Sequence, residues 1–125
     1  MASPADRRYL PTHEWHKLEG GLVVIGLSQF AVEELTDITF LDIKKKAGPI
    51  RPGESFGEIE SVKATSELYC GLAGTVVAFN QQAIDSPALI NQDPFGQGWL
   101  VKVQPADLKQ LEALLSAADY DRQHA

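Results

Sequence analysis

The chain has 125 residues, with Lys+Arg 11 against Asp+Glu 17 and a formal net charge of −6. That length suits one domain with a real core and no disulfide staples, and 44% hydrophobic with 22% charged residues excludes wholesale disorder. The acidic balance excludes the basic footprint that nucleic-acid phosphates require; the single cysteine, Cys70, excludes an intrachain disulfide or a Cys-based zinc site; and no stretch reaches the roughly 18–20 apolar residues of a membrane span.

Residues 1–8 are polar and hold Pro4, Asp6, Arg7 and Arg8. They predict a frayed start, no secretory signal and a cytoplasmic location. Leu22-Val23-Val24-Ile25 reads as a buried strand, paired through a Gly20-Gly21 turn with residues 9–18. Ser28 is a candidate N-cap, and Phe30, Ala31 and Leu35 recur at helical spacing behind it, with Glu33 and Glu34 outward. A strand follows over 38–43. Lys44-Lys45-Lys46 then reads as a solvated loop, and Gly48-Pro49 and Pro52-Gly53 as turns.

Residues 56–62 and 65–69 are two short strands with Lys63-Ala64 at the tip between them. Gly71 and Gly74 read as turn glycines before a strand over 75–79. Residues 84–91 are a loop or one helical turn, with Pro87 suited to its first position, and 91–98 is loop chemistry. Trp99-Leu100-Val101-Lys102-Val103 is the last strand. Leu108, Leu111, Leu114 and Leu115 then predict one helix begun near Pro105 and packed over the sheet. The expected architecture is mainly β, a small sandwich or barrel of six or seven strands with peripheral helices.

Signals for catalysis are poor. His13 and His16 lack the i, i+4 spacing of a zinc helix and face opposite sides of a strand. Gly96-Gln97-Gly98 does not follow a strand and open a helix, so it is no phosphate cradle. No Gly-x-Ser-x-Gly elbow exists, and Cys70 reads as a small apolar residue near a strand end. One segment differs. Glu60-Ser61-Val62-Lys63-Ala64-Thr65-Ser66-Glu67-Leu68-Tyr69 sets one lysine at the centre of a strand–turn–strand pattern, between small neighbours. That is how a side chain is presented to another protein's active site.

This segment resembles the lipoylation segment of the glycine cleavage system H-protein family. His13-Glu14-Trp15, Ile25-Gly26-Leu27-Ser28, Gly53-Glu54-Ser55-Phe56-Gly57, Ala88-Leu89-Ile90-Asn91-Gln92-Asp93-Pro94-Phe95-Gly96 and Gly98-Trp99-Leu100-Val101-Lys102-Val103 look like family landmarks in family order, covering about residues 9–120. The resemblance implies a barrel-sandwich hybrid fold (lipoyl/biotinyl type) with short peripheral helices and a C-terminal helix. It implies a single lipoyl-bearing domain over 1–125 with an ordered core of about 9–120. It implies lipoic acid in amide linkage on Lys63, an arm of roughly 14–15 Å by bond count, with Glu60 and Gly74 read by the lipoylating enzymes. In such a protein the carrier is not itself an enzyme, because the chemistry belongs to the cofactor. The implied partners are a pyridoxal-phosphate glycine decarboxylase, a tetrahydrofolate-dependent aminomethyltransferase and dihydrolipoyl dehydrogenase. In the loaded state the arm folds back into a cleft, where Glu14 and Glu67 are the candidate carboxylates for a cationic amine; their plain alternative is exposed strand carboxylates.

The chain departs from the family pattern at three places. Cys70-Gly71 replaces a Ser-Pro-like turn, Phe30 stands where His or Tyr is usual, and Lys44-Lys45-Lys46-Ala47-Gly48-Pro49-Ile50 replaces a usually acidic turn. An alternative within the resemblance is therefore a lipoate-binding protein of a cytoplasmic heterodisulfide-reductase-like system, with sulfur as cargo. A biotin carrier uses a similar hairpin, but methionines normally flank its lysine, where this chain has Val62 and Ala64. An unmodified scaffold is the plainest alternative.

Overall fold

A computed structural model describes residues 2–125. Two antiparallel sheets face each other across the main core. In the larger, the spatial order is β1 (Arg8–Tyr9), β2 (Glu14–Glu19), β3 (Leu22–Leu27), β9 (Val101–Pro105), β8 (Gly74–Phe79) and β5 (Gly48–Ile50). The smaller is β4 (Ile38–Ile43), β6 (Ser55–Ser61) and β7 (Thr65–Tyr69), in that order. The helices are short: α1 (Gln29–Leu35), α2 (Gln81–Asp85), α3 (Ala88–Gln92), α4 (Lys109–Glu112) and α5 (Ala117–Gln123).

Sequence periodicity explains the layering. Val23 and Ile25 of β3 point into the main core with Leu41, Phe56, Ile59, Leu68, Val101 and Val103. Val24, between them, joins a second cluster with Tyr9, Trp15, Ala117 and Tyr120 beneath α5. Both faces of β3 are covered, which is why it reads as a continuous apolar run rather than an alternation. Each large aliphatic side chain so buried contributes roughly 1.5–3 kcal/mol over the exposed state.

Several expectations hold and several shift. Gly20 and Gly21 turn β2 into β3 with φ of 57° and 82°, the left-handed pair that a two-residue hairpin needs. Ser28 caps α1, its Oγ accepting the Ala31 N–H. The strand expected over 9–18 is instead two. Pro11 has no N–H for a ladder, and His13 takes φ 91°, so the chain folds back and β1 pairs with β2. Gly48-Pro49 is not a turn but part of the edge strand β5, a place where proline is tolerated. Two short helices replace the single turn expected near Pro87, and nine strands among the described residues exceed the six or seven expected.

The C-terminal leucines do not form one helix over the sheet. α4 is four residues long with none buried, and Leu108 is 48% exposed. Leu115 exchanges backbone hydrogen bonds with Tyr9, so the helical ladder stops there. Ser116 then caps α5, whose Tyr120 stacks on Tyr9 at 4.8 Å. Those contacts bring the two ends of the chain together, where Ser3 Oγ donates to Asp121 at 2.6 Å. Among the described residues, no helix is long and apolar enough to cross a membrane.

Candidate functional site: a lysine hairpin beside a cleft

The β6–β7 ladder runs from Ser55↔Tyr69 to Glu60↔Thr65, and Ser61-Val62-Lys63-Ala64 closes it. Val62, Lys63 and Ala64 are exposed. Lys63 makes no ion pair among the described residues. The other lysines of interest are tethered. Lys44 reaches Glu58 at 3.7 Å, Lys45 reaches Glu54 at 3.1 Å, and Lys46 lies 5.2 Å from the Phe79 ring centre. Lys44 and Lys46 stay exposed, as a solvated loop requires, and each lysine of the loop has a neighbour that the sequence spacing does not reveal.

Glu60 is half-buried on β6, opposite Phe40 and Thr65, three residues before the lysine. Gly74 begins β8, and its φ is not left-handed. The reason for glycine there is close approach rather than a turn: a Cβ would overlap the Gln104 carbonyl oxygen of the neighbouring strand.

A cleft of about 280 Å³ opens beside the hairpin. Leu27, Ala31, Leu35, Ile59 and Leu68 form its apolar lining; Thr12, His13, Glu34, Ser66 and Glu67 supply polar groups; Ala64 brings the hairpin to its edge. Glu67 is exposed here, and Ser55 Oγ donates to its Oε2 at 2.6 Å. The register sets Glu58 opposite Glu67 and Asp42 opposite Glu58. Like charges so placed repel, and Lys44, 3.7 Å from Glu58, answers them in part.

Glu14 is not the exposed carboxylate that a strand position suggests. Its side chain is fully buried behind Thr12, whose hydroxyl donates to Oε1 at 2.6 Å, while the Tyr69 N–H donates to Oε2 at 2.8 Å. Burial pushes its carboxyl up to about 7 against these two hydrogen bonds. Two residues on, fully buried His16 accepts the Gly71 N–H on Nε2 at 3.0 Å and is held near 4 by the same desolvation. Glu14 and His16 thus pick up alternate N–H groups at the end of β7 and staple the two sheets together. His13 turns the other way. Its Nδ1 meets Tyr120 Oη at 2.6 Å, which meets Ser28 Oγ at 2.6 Å.

Phe30 lies outside this cleft. It stacks on His13 at 5.2 Å and lines a separate cavity of about 330 Å³ with Tyr120 and His124. The wall that α1 gives to the cleft is Ala31, Glu34 and Leu35. The sequence reads Glu34 only as an outward residue of the helix and does not single out Thr12. The signal for Glu34 is its helical spacing with Ala31, three positions before it, on the cleft-facing side of α1; for Thr12 there is none. Cys70 is fully buried, its thiol pushed up to about 11 by desolvation, an inert packing residue.

A two-sheet body with an exposed lysine at a hairpin tip and a cleft at its foot defines a carrier-type barrel-sandwich protein. The chain belongs to the glycine cleavage H-protein family, which it matches over residues 7–125. It is 51% identical over 120 residues to the glycine cleavage system H protein of Thermosynechococcus vestitus, covering 96% of this chain and 93% of that one. With the protein of that name from Nitratidesulfovibrio vulgaris it shares 48% identity over 121 residues, covering 97% and 94%. The crystal structure of a glycine cleavage system H protein from Mycobacterium marinum superposes with a TM-score of 0.88 at 38% identity, covering 97% of this chain and 98% of that one.

Proposed function

We propose that this chain is a single-domain lipoyl carrier of the glycine cleavage system. Lipoic acid is held as an amide on Lys63 Nζ, and the arm carries an aminomethyl group and electrons among a pyridoxal-phosphate glycine decarboxylase, a tetrahydrofolate-dependent aminomethyltransferase and dihydrolipoyl dehydrogenase. The observation that carries this reading is the state of Lys63, exposed, without an ion partner, and on a backbone fixed by hydrogen bonds. A ligase needs such an amine. The residues present fit the group: acylation of Nζ breaks no contact, and the cleft at Ala64 offers the arm an apolar lining.

When attached, lipoic acid supplies a redox-active disulfide at the end of a flexible chain. The protein's own residues present, shelter and release it. Glu60 and Gly74 are the positions we assign to recognition by the lipoylating enzymes. Glu67 and Glu34 give the cleft carboxylates that favour a cationic amine, and the apolar lining excludes water from it. Glu14 acts from behind, through Thr12. Nothing observed favours sulfur as the cargo, and the family match favours glycine.

The test is reconstitution. The peptide containing Lys63 should gain the mass of a lipoyl group after treatment with a lipoate–protein ligase. The lipoylated chain should then support glycine–bicarbonate exchange by a competent decarboxylase. Lipoylation without exchange would overturn the glycine reading and leave the arm.

A further inference from the structure

We propose that Ser61 is a positioning residue for Lys63, its hydroxyl holding the turn in the one shape that a modifying enzyme reads. This rests on the reading of Lys63 as the lipoylated residue.

The argument begins with an absence of glycine. A tight hairpin turn usually matches the twist of its strands by placing its central residues in the left-handed region, where glycine and asparagine are at home. The centre of this turn is Val62-Lys63, and neither residue adopts a left-handed φ. A single backbone bond closes the turn, from Ser61 N–H to Ala64 O at 2.8 Å. The N–H groups of Lys63 and Ala64 have no backbone acceptor among the described residues. Both donate to Ser61 Oγ, each at 3.1 Å. The same hydroxyl sits 3.4 Å from Ala64 O, to which it donates. One side chain thus takes the place of the missing glycine geometry.

The turn is also braced from outside. The Val62 N–H donates to Asp37 O at 3.1 Å. That carbonyl is fixed by Asn91 of α3, whose Oδ1 accepts the Ile38 N–H at 3.0 Å and whose Nδ2 donates to Thr36 O at 2.8 Å. Ser61 therefore works against a rigid back wall, and removing its hydroxyl frees the Lys63 side of the turn alone.

Little stability is at stake, because water satisfies the exposed N–H groups as soon as the clasp opens. Orientation is at stake. A tip that samples many shapes lowers the fraction competent to bind, and the apparent affinity of the enzyme falls by that fraction. Chemistry after binding is unaffected.

The experiment compares the full-length chain with Ser61→Ala and Ser61→Thr as substrates of a lipoate–protein ligase supplied with lipoic acid and ATP, with amide hydrogen exchange and thermal midpoints measured on all three. For Ser61→Ala we expect KM for the carrier to rise about tenfold with kcat unchanged, faster exchange at Lys63 and Ala64 only, and an unchanged midpoint. Ser61→Thr, which keeps the hydroxyl, should restore KM and exchange. Wild-type KM in Ser61→Ala, no rescue by threonine, or a lowered midpoint would each overturn the proposal. A wild-type Lys63 left bare while a control carrier is labelled in the same tube would overturn the functional reading and this inference together.

Discussion

Two short segments concentrate polar side chains, and the fold treats them in opposite ways. At the hairpin tip, Val62-Lys63-Ala64 is in water, its shape set by the Ser61 hydroxyl, the Ser61–Ala64 backbone bond and one remote carbonyl. On β2, Glu14, Trp15 and His16 are all buried, and the two ionisable members spend their hydrogen bonds on Tyr69 and Gly71 across the gap between sheets. The first segment exposes an amine at little energetic cost. The second keeps ionisable groups out of water at considerable cost and obtains a joint between layers. What distinguishes a reactive residue from a structural one here is therefore not residue type but which partners remain unfilled.

If that contrast is right, changes at the tip alter modification without stability, and changes on the buried side do the reverse. The largest effect is at Lys63. Lys63→Arg keeps the charge but cannot form the amide, so lipoylation should vanish from the mass spectrum while the thermal midpoint stays that of the wild type. Residual labelling of that variant would place the attachment elsewhere.

Glu14→Gln comes next, and it acts through pH. The folded chain holds a proton on Glu14 up to about pH 7, whereas the unfolded chain releases it near 4.5. Stability is therefore lost as pH rises between those values, by about 3 kcal/mol in full. His16 runs the other way. Its folded value is near 4 against an ordinary 6.5, so the unfolded chain takes up a proton that the folded one refuses, and stability falls as pH drops through that window. The two trends offset each other in the wild type between about pH 4.5 and 6.5. Glutamine removes one of them. Urea unfolding of Glu14→Gln should give a stability at pH 8 no lower than wild type, and a fall on the order of 3 kcal/mol from pH 7 to pH 4 where the wild type is flatter. A variant as flat as the wild type would contradict the opposition of these two residues.

The smallest effect sharpens the boundary between the classes. Gly74→Ala pushes a methyl into the Gln104 carbonyl and should cost about 2 kcal/mol, read as a lower denaturation midpoint. If the folded fraction is still lipoylated at the wild-type rate, Gly74 belongs with the buried joint rather than with recognition of the tip.

Much of this was legible beforehand. The 38–43 strand, the Ser28 cap, the Gly20-Gly21 turn and the lysine between two short strands all rest on local rules, namely alternation, capping and left-handed turns. What failed did so for non-local reasons. Leu108 to Leu115 has helical spacing, but Leu115 is taken by Tyr9, more than a hundred positions earlier in the chain. Gly74 looked like a turn glycine because a sequence does not show the strand that passes over it. Nor does a sequence show that α1 turns Phe30 towards His13 and His124 and gives Glu34 the cleft-facing place.

Linear order is enough to set one lysine between two strands, to make the body mostly β, and to show no cysteine or histidine pattern competing for the chemistry. Such features depend on neighbours within a few positions, where backbone geometry leaves few choices. Which amines are free and which carboxylates are dry depends on how the layers assemble. Lys44, Lys45 and Lys46 look as available as Lys63 until the sheets bring Glu58, Glu54 and Phe79 to them, and Glu14 looks as wet as Glu67 until Thr12 and Tyr69 close over it. Charge and hydration are set by what packs nearby, and packing joins residues that the linear order keeps apart.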